Sequence, residues 1–339
     1  MSGAPESQAS IAVLGAGSWG TALAIQFARG GKHTRLWGRD ARHMQAMASA
    51  RCNERYLPDA HFPESLRVIS DVGAALEGAL DVLIAVPSGA LRSVLREIAP
   101  RLAPGMRLAL ASKGFELATS QLPHQVAHEE LGAGRSIAVL SGPTFAHEVG
   151  AGLPSAMTVA SPDAAFATAL AHDLSAGNFR AYTSHDIIGV EVGGAVKNVL
   201  AVAAGFSDGL NFGANTRVAL ITRGLMEMMR LGVALGAHRD TFMGLAGLGD
   251  LVLTCTDNQS RNRRFGLLLA QGKSPQSALQ AIGQIVEGYV AAKATNEVAQ
   301  RLAVDMPLCA AVYQVLYQQA PAIEVVRGLM SRPIKPESE

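Results

Sequence analysis

Apolar residues follow two rhythms along this chain, and the change from one to the other comes once. Up to about residue 186, short apolar runs recur between glycines, prolines and polar residues. They are Ile11–Leu14, Thr34–Trp37, Asp81–Val86, Arg107–Ala111 and Ser136–Leu140, with two further strand-like runs at Ser155–Ala160 and Asn178–Thr183. Helical patterns separate most of them. Short strands alternating with helices predict an α/β domain with a doubly wound, Rossmann-like, mostly parallel sheet. Beyond Asp186 the strand signals stop. Longer helical periodicities follow at Gly189–Phe206, Thr216–Leu235, Arg263–Gln271, Glu287–Leu302 and Ala310–Gln318, which predict an all-α second domain. The expected division is 1–187 and 188–339.

Two of the strand ends carry different halves of one ligand's chemistry. Straight after Ile11–Leu14 comes Gly15-Ala16-Gly17-Ser18-Trp19-Gly20, and then a helical stretch to Arg29. In a Gly-x-Gly-x-x-Gly between strand and helix, Gly15 allows the tight turn. Gly17 lets the backbone approach a pyrophosphate, and Gly20 lets helix and strand pack closely. The helix N-terminus faces the anion with free N–H groups. The first half therefore reads as a dinucleotide-binding domain. Where a site for NAD usually has an acidic residue, after the second strand, this chain has Trp37-Gly38-Arg39. A guanidinium there suits the 2′-phosphate of NADP. The other reading makes Arg39 a solvated loop residue and gives the ribose to Asp40. NADP(H) or NAD(H) is expected.

Composition narrows the function. The 339 residues carry 29 basic and 28 acidic side chains, net +1. That balance argues against a nucleic-acid or membrane-surface protein. Cys52, Cys255 and Cys309 are scattered, with neither zinc spacing nor a disulfide framework, which fits a reducing cytoplasm. No metal is expected, since the nine histidines show no paired ligand spacing. Met1–Ser10 lacks the apolar core of a signal peptide and reads as a loose tail, as does Arg332–Glu339. Ile187–Phe206 is the stretch most like a membrane span, but Glu191, Lys197 and Asn198 interrupt it. A buried helix is expected rather than membrane insertion.

Polar residues gather where the predicted strands end: Arg39, Pro87-Ser88, Lys113-Gly114 and Gly142-Pro143-Thr144. Ligands of open α/β sheets bind at that edge. In the helical half, Lys197 stands in a run of valine, alanine and glycine. With Glu191, Gly194, Asn198 and Ala201 it shares one helix face. An amine among apolar neighbours loses hydration, its pKa falls, and it can exchange a proton near neutrality. A lysine that snorkels to water is the other reading. Asp250 and Thr254 are four apart and share a helix face. Asp250 either orients a lysine or a substrate hydroxyl, or caps a helix. Ser260 is an N-cap candidate, and Arg261, Arg263 and Arg264 follow it in the first turn. Three cations oppose the helix dipole there unless an anion binds between them and the cap N–H groups. A solvated basic turn is the plainer alternative. Lys113 and Thr144 could each serve a phosphate or a turn, and Glu287 could serve a cofactor or solvent.

In order along the chain, the motifs closely resemble the bacterial NAD(P)-dependent sn-glycerol-3-phosphate dehydrogenases. The stretches that carry the resemblance are Gly15–Ala22 (GAGSWGTA), Ser141–Ala146 (SGPTFA), Gly193–Asn198 (GGAVKN), Gly247–Leu251 (GLGDL) and Thr254–Asn262 (TCTDNQSRN). The resemblance implies reversible reduction of dihydroxyacetone phosphate to sn-glycerol 3-phosphate, with Lys197 as proton donor and acceptor. It implies Ser18, Trp19, Arg39, Ala146, Ile285 and Glu287 as cofactor contacts. Gly142, Thr144, Asp250, Ser260 and Asn262 would be substrate contacts, and Lys113 and Arg261 would be shared. It further implies a cytoplasmic homodimer that supplies phospholipid synthesis, and a structural role for Cys255. Two rivals stand beside it. One is a hydroxyacid dehydrogenase of related two-domain design, and the other a dinucleotide sensor without catalysis.

Overall fold

The computed structural model describes residues 10–334 and 336. The tail expected at Met1–Ser10 therefore lies almost wholly outside the described residues. Among the described residues there are ten strands: β1 (Ser10–Leu14), β2 (Thr34–Trp37), β3 (Cys52–Asn53), β4 (Leu57–His61), β5 (Leu66–Ile69), β6 (Ala79–Ile84), β7 (Arg107–Leu110), β8 (Ile137–Ser141), β9 (Ser155–Ala160) and β10 (Phe179–Ser184). Seven helices accompany them: α1 (Ser18–Arg29), α2 (Ala41–Ala50), α3 (Val72–Leu76), α4 (Ser88–Ile98), α5 (Pro123–Leu131), α6 (Ala146–Ala151) and α7 (Ala164–Leu174). Then come α8 (Ile187–Gly209), α9 (Gly213–Ala234), α10 (Asp250–Thr256), α11 (Arg261–Ala270), α12 (Pro275–Ile282), α13 (Glu287–Arg301), α14 (Pro307–Tyr317) and α15 (Ala322–Met330).

Eight strands form one sheet in the order β10-β9-β8-β7-β6-β1-β2-β5, and β3 and β4 make a separate hairpin. Every neighbouring pair in the sheet is parallel except β8 and β9. So β9 and β10 extend the sheet as the sequence suggests, but they run against the other six strands. Apolar pattern cannot report this, because a buried strand looks the same in either direction. β5, a four-residue edge strand containing the exposed Arg67, also escaped the pattern.

The core falls into three parts. One packs α1, α6 and α7 on one face of the sheet, and a second packs α3, α4 and α5 on the other. The third is the interior of the helical half, built around α8. This 23-residue helix is long and apolar enough to span a membrane by composition, but the apolar stretch is 89% buried inside the protein. It starts against the sheet, where Ile187 and Val190 join the second core, and runs on into the helical half. Asp186 caps it, its carboxylate accepting from the Gly189 amide at 2.8 Å. Lys197 sits near the middle of this helix, about 15 Å from its start at the usual rise per residue.

Candidate active site

The glycine loop has the three properties its spacing predicts. Gly15 has φ +121°, and a Cβ there would lie 2.5 Å from the Ala85 carbonyl oxygen. A Cβ on Gly20 would lie 1.9 Å from the Gly15 carbonyl oxygen, whereas Gly17 faces open space. No side chain caps α1 at Gly17, so its first N–H groups are open to an anion. The indole Nε1 of Trp19 is buried without a protein partner. A bound dinucleotide would meet this loop with free donors, and the residues fit such a group.

β2 ends against the same loop, since a Cβ on Gly38 would touch Ala16 and the Met44 sulfur. Arg39 is exposed there, and Trp37 is turned inward with Nε1 donating to Ser70 O at 3.1 Å. Asp40 caps α2, accepting from the amides of Arg42 (3.1 Å) and His43 (3.2 Å). Asp40 spends one carboxylate oxygen on that cap, and the exposed Arg39 stands beside it at the strand end.

Between the halves lies a cleft of about 250 Å³. Its walls bring together Ser18, Trp19, Lys113, Thr144 and Ala146 from the first half. From the second come Lys197, Asp250, Ser260, Arg261, Asn262 and Glu287. Gly15, Gly17, Gly20, Arg39, Gly142 and Ile285 do not line it. The three loop glycines and Arg39 belong to the adjoining loop edge. Gly142 (φ +155°) makes the turn beneath Thr144, whose Oγ1 donates to the Gly142 carbonyl at 3.2 Å. Ile285 is 53% exposed on the segment before Glu287.

At the floor, two lysines from different halves meet one carboxylate. Lys113 Nζ donates to Asp250 Oδ2 at 3.0 Å, and Lys197 Nζ donates to Asp250 Oδ1. Lys197 also donates to Thr254 Oγ1 at 3.1 Å, and that hydroxyl donates to the Asp250 carbonyl at 2.6 Å. The reading of Asp250 as an N-cap fails, because Gly249 holds the cap position. The snorkelling reading of Lys197 fails as well, since its side chain is 9% exposed. Burial pulls the Lys197 pKa down to about 8; the Asp250 charge opposes that shift and the Lys113 charge adds to it.

One expectation needs correction, and two residues on the Lys197 face turn to other partners. Glu191 does not join Lys197. It turns to His124, accepting from the backbone amide at 2.8 Å and contacting the ring. Asn198 does not steady the lysine either. Its amide donates to Glu287 (3.0 Å) and to the Gly194 carbonyl (3.2 Å), and its oxygen accepts from Asn262 at 2.9 Å. Asn262 in turn accepts from the Gly288 amide at 2.8 Å. A hydrogen-bonded chain thus ties α8, α11 and α13 together. Finally, the three arginines after Ser260 do not share an anion. Ser260 does cap α11, accepting from the Arg263 amide at 3.2 Å, but the Arg263 side chain turns away from the cleft into an ion pair with Asp208. Arg261 and Arg264 remain on the cleft.

Sequence reasoning missed Tyr56 and Leu57, which reach the cleft from the unpredicted β3–β4 hairpin. It also missed Gln259, whose amide reaches across the cleft to Glu148 at 2.9 Å. No periodicity marks residues of so short a hairpin or of a loop. Cys52, Cys255 and Cys309 are buried free thiols. Burial pushes the Cys255 thiol up to about 12, so it stays protonated.

Two sequence models of the NAD-dependent glycerol-3-phosphate dehydrogenases match this chain, the N-terminal one over residues 10–167 and the C-terminal one over residues 186–327. The chain belongs to this family. It is 54% identical over 330 residues to the glycerol-3-phosphate dehydrogenase [NAD(P)+] of Klebsiella pneumoniae (strain 342), covering 97% of each chain. The crystal structure of the glycerol-3-phosphate dehydrogenase of Coxiella burnetii superposes with a TM-score of 0.92 at 47% identity, over 96% of this chain and 99% of that one. The corresponding enzyme of Saccharomyces cerevisiae gives a TM-score of 0.84 at 25% identity, over 96% and 99% of the two chains. This NAD-dependent family therefore keeps its architecture across a wide span of sequence.

Proposed function

We propose that this protein reduces dihydroxyacetone phosphate to sn-glycerol 3-phosphate, reversibly, with NADPH or NADH. The observation that carries the proposal is the Lys197–Asp250–Lys113 cluster on the floor of a cleft whose opposite wall is the glycine-loop helix. The bound nicotinamide supplies the hydride. The chain's own residues do the rest. As hydride arrives, the ketone oxygen gains negative charge. Lys197, as ammonium, stabilises that charge and yields a proton to it. In the oxidative direction the neutral amine takes the proton back. Asp250 holds both lysines and keeps two like charges in one small space. Arg261 and the first turn of α11, capped by Ser260, grip the phosphate, aided by Thr144 and Asn262. That grip positions the ketone, and positioning of this kind lowers a barrier by several kcal/mol.

Ser18, Trp19 and the N-terminus of α1 hold the pyrophosphate, and Arg39 takes a 2′-phosphate. Ala146, Ile285 and Glu287 complete the cofactor contacts. The same reading makes 1–187 the cofactor domain and 188–339 the substrate domain. It makes the protein a cytoplasmic dimer that supplies phospholipid synthesis. The test is loss of nicotinamide absorbance on adding dihydroxyacetone phosphate, compared with small ketoacids. Lys197→Ala should retain reduced cofactor and lose roughly 10²–10⁴-fold in turnover. Preference for a ketoacid, or near-normal turnover of that variant, would refute the reading.

A further inference from the structure

We propose that Arg263, paired with Asp208, is a positioning residue that sets the distance between the phosphate grip and the proton donor. The inference rests on the phosphate reading given above and extends it to a residue outside the cleft. Arg263 lies in the first turn of α11, on the back of the turn whose front presents Ser260, Arg261 and Asn262 to the cleft. A cation is disfavoured at that end of a helix, yet this one is 8% exposed and fully engaged. Its Nε donates to the Cys255 carbonyl at 3.1 Å, in the last turn of α10. One terminal nitrogen reaches Asn258 Oδ1, and the other donates to Asp208 Oδ2 at 2.5 Å. Its backbone amide donates to the Ser260 cap at 3.2 Å. Asp208 is shared with Arg217, at 2.9 Å.

These partners are the elements on which the site is built. α10 begins with Asp250 and ends at the Arg263 contact. Asn258 and Ser260 shape the phosphate turn. Asp208 lies on α8, eleven residues after Lys197, which is three turns and about 20° off the same face. The two helices meet closely beside the pair. A Cβ on Gly205 would lie 2.0 Å from the Arg263 carbonyl oxygen, and a Cβ on Gly266 2.1 Å from the Val202 carbonyl oxygen. A planar fork with several donors suits three acceptors in different directions, whereas a lysine ammonium is a point charge on a flexible stem. The guanidinium thus registers the turn against the helix that carries Lys197.

Steady-state kinetics of Arg263→Lys, Asp208→Asn and the double variant test this, with dihydroxyacetone phosphate and with dihydroxyacetone, which lacks the phosphate. Arg261→Ala serves as the reference for the phosphate grip. The KM for dihydroxyacetone phosphate should rise by about tenfold or more in both single variants. The KM for NADPH and the rate on dihydroxyacetone should stay as in the native protein. The double variant should be no worse than the worse single, because the pair acts as one unit. An unchanged KM in Arg263→Lys and Asp208→Asn, with a raised one in Arg261→Ala, overturns the positioning role and leaves the phosphate reading standing. An unchanged KM in Arg261→Ala brings down both. Equal losses on both substrates and on NADPH, or failure of both single variants to fold, would assign the pair to stability alone and overturn the proposal.

Discussion

Replacing Asp250 by asparagine should move the pH dependence of the reaction further than any other single change in the cleft. Asp250 is 1% exposed and is the carboxylate that faces both Lys197 and Lys113. In the native protein burial has already brought Lys197 down to about 8, against the pull of Asp250. Asparagine removes that pull and leaves the Lys113 charge opposed only by the weaker influence of Glu287. At an effective dielectric of about 20, unit charges about 4 Å apart interact by about 4 kcal/mol, or about three pKa units. Even a third of that carries Lys197 from about 8 to near or below neutrality. Reduction needs the ammonium, so native kcat/KM for dihydroxyacetone phosphate should fall as pH rises through about 8. In Asp250→Asn the fall should already be under way below pH 7. In the oxidative direction the native rate should rise through the same pH, because there the neutral amine is required. The assay is kcat/KM between pH 5.5 and 9.5 at saturating NADPH, native and variant in parallel. An inflection that stays near 8 in the variant would refute the account of Lys197 and its carboxylate.

Three further outcomes follow from other parts of the molecule. Arg39→Ala should weaken NADPH by about 1.5–3 kcal/mol, the size of a charge-assisted hydrogen bond, and leave NADH unaffected; equal KM changes for both cofactors would remove Arg39 from the 2′-phosphate. Gly20→Ala places a methyl against the Gly15 carbonyl and should cost about 1–3 kcal/mol, read as a lower urea midpoint together with weaker cofactor binding. A native midpoint would show that the loop has room. Glu227 is buried under the start of α14, accepting from the amides of Leu308 (2.7 Å) and Cys309 (3.1 Å), and burial raises its pKa to about 7. With the folded value above the unfolded one, its contribution to stability is complete below about pH 4.5 and is lost as pH rises through about 7. Urea midpoints measured from pH 4.5 to 8 in native protein and Glu227→Gln should show that slope in the native chain alone, and identical slopes would contradict it.

The α/β half and the glycine loop were legible because their signals are local. Gly15, Gly17 and Gly20 are required by one turn, and the sheet strands are mostly short apolar runs between breakers. Ser260 announced itself as a cap in the same way. The reversal of β9 and β10 was not legible, nor was the β3–β4 hairpin that brings Tyr56 and Leu57 to the cleft. Direction and hairpin placement depend on partners far along the chain.

The clearest division is in the helical half. Sequence by itself determined that an apolar helix would carry one lysine, and that an aspartate and a threonine would stand one turn apart on another. It also determined that basic residues would crowd the start of α11. Only the folded chain decided which charges meet. Glu191, one face-mate of Lys197, went to His124, while Asp250, fifty-three residues away, took the lysine, and Lys113 came to it from the other half. Of the three arginines after Ser260, one turned inward to Asp208. Periodicity gives a side chain its face, but a buried charge costs so much without a partner that tertiary packing settles which partner it receives.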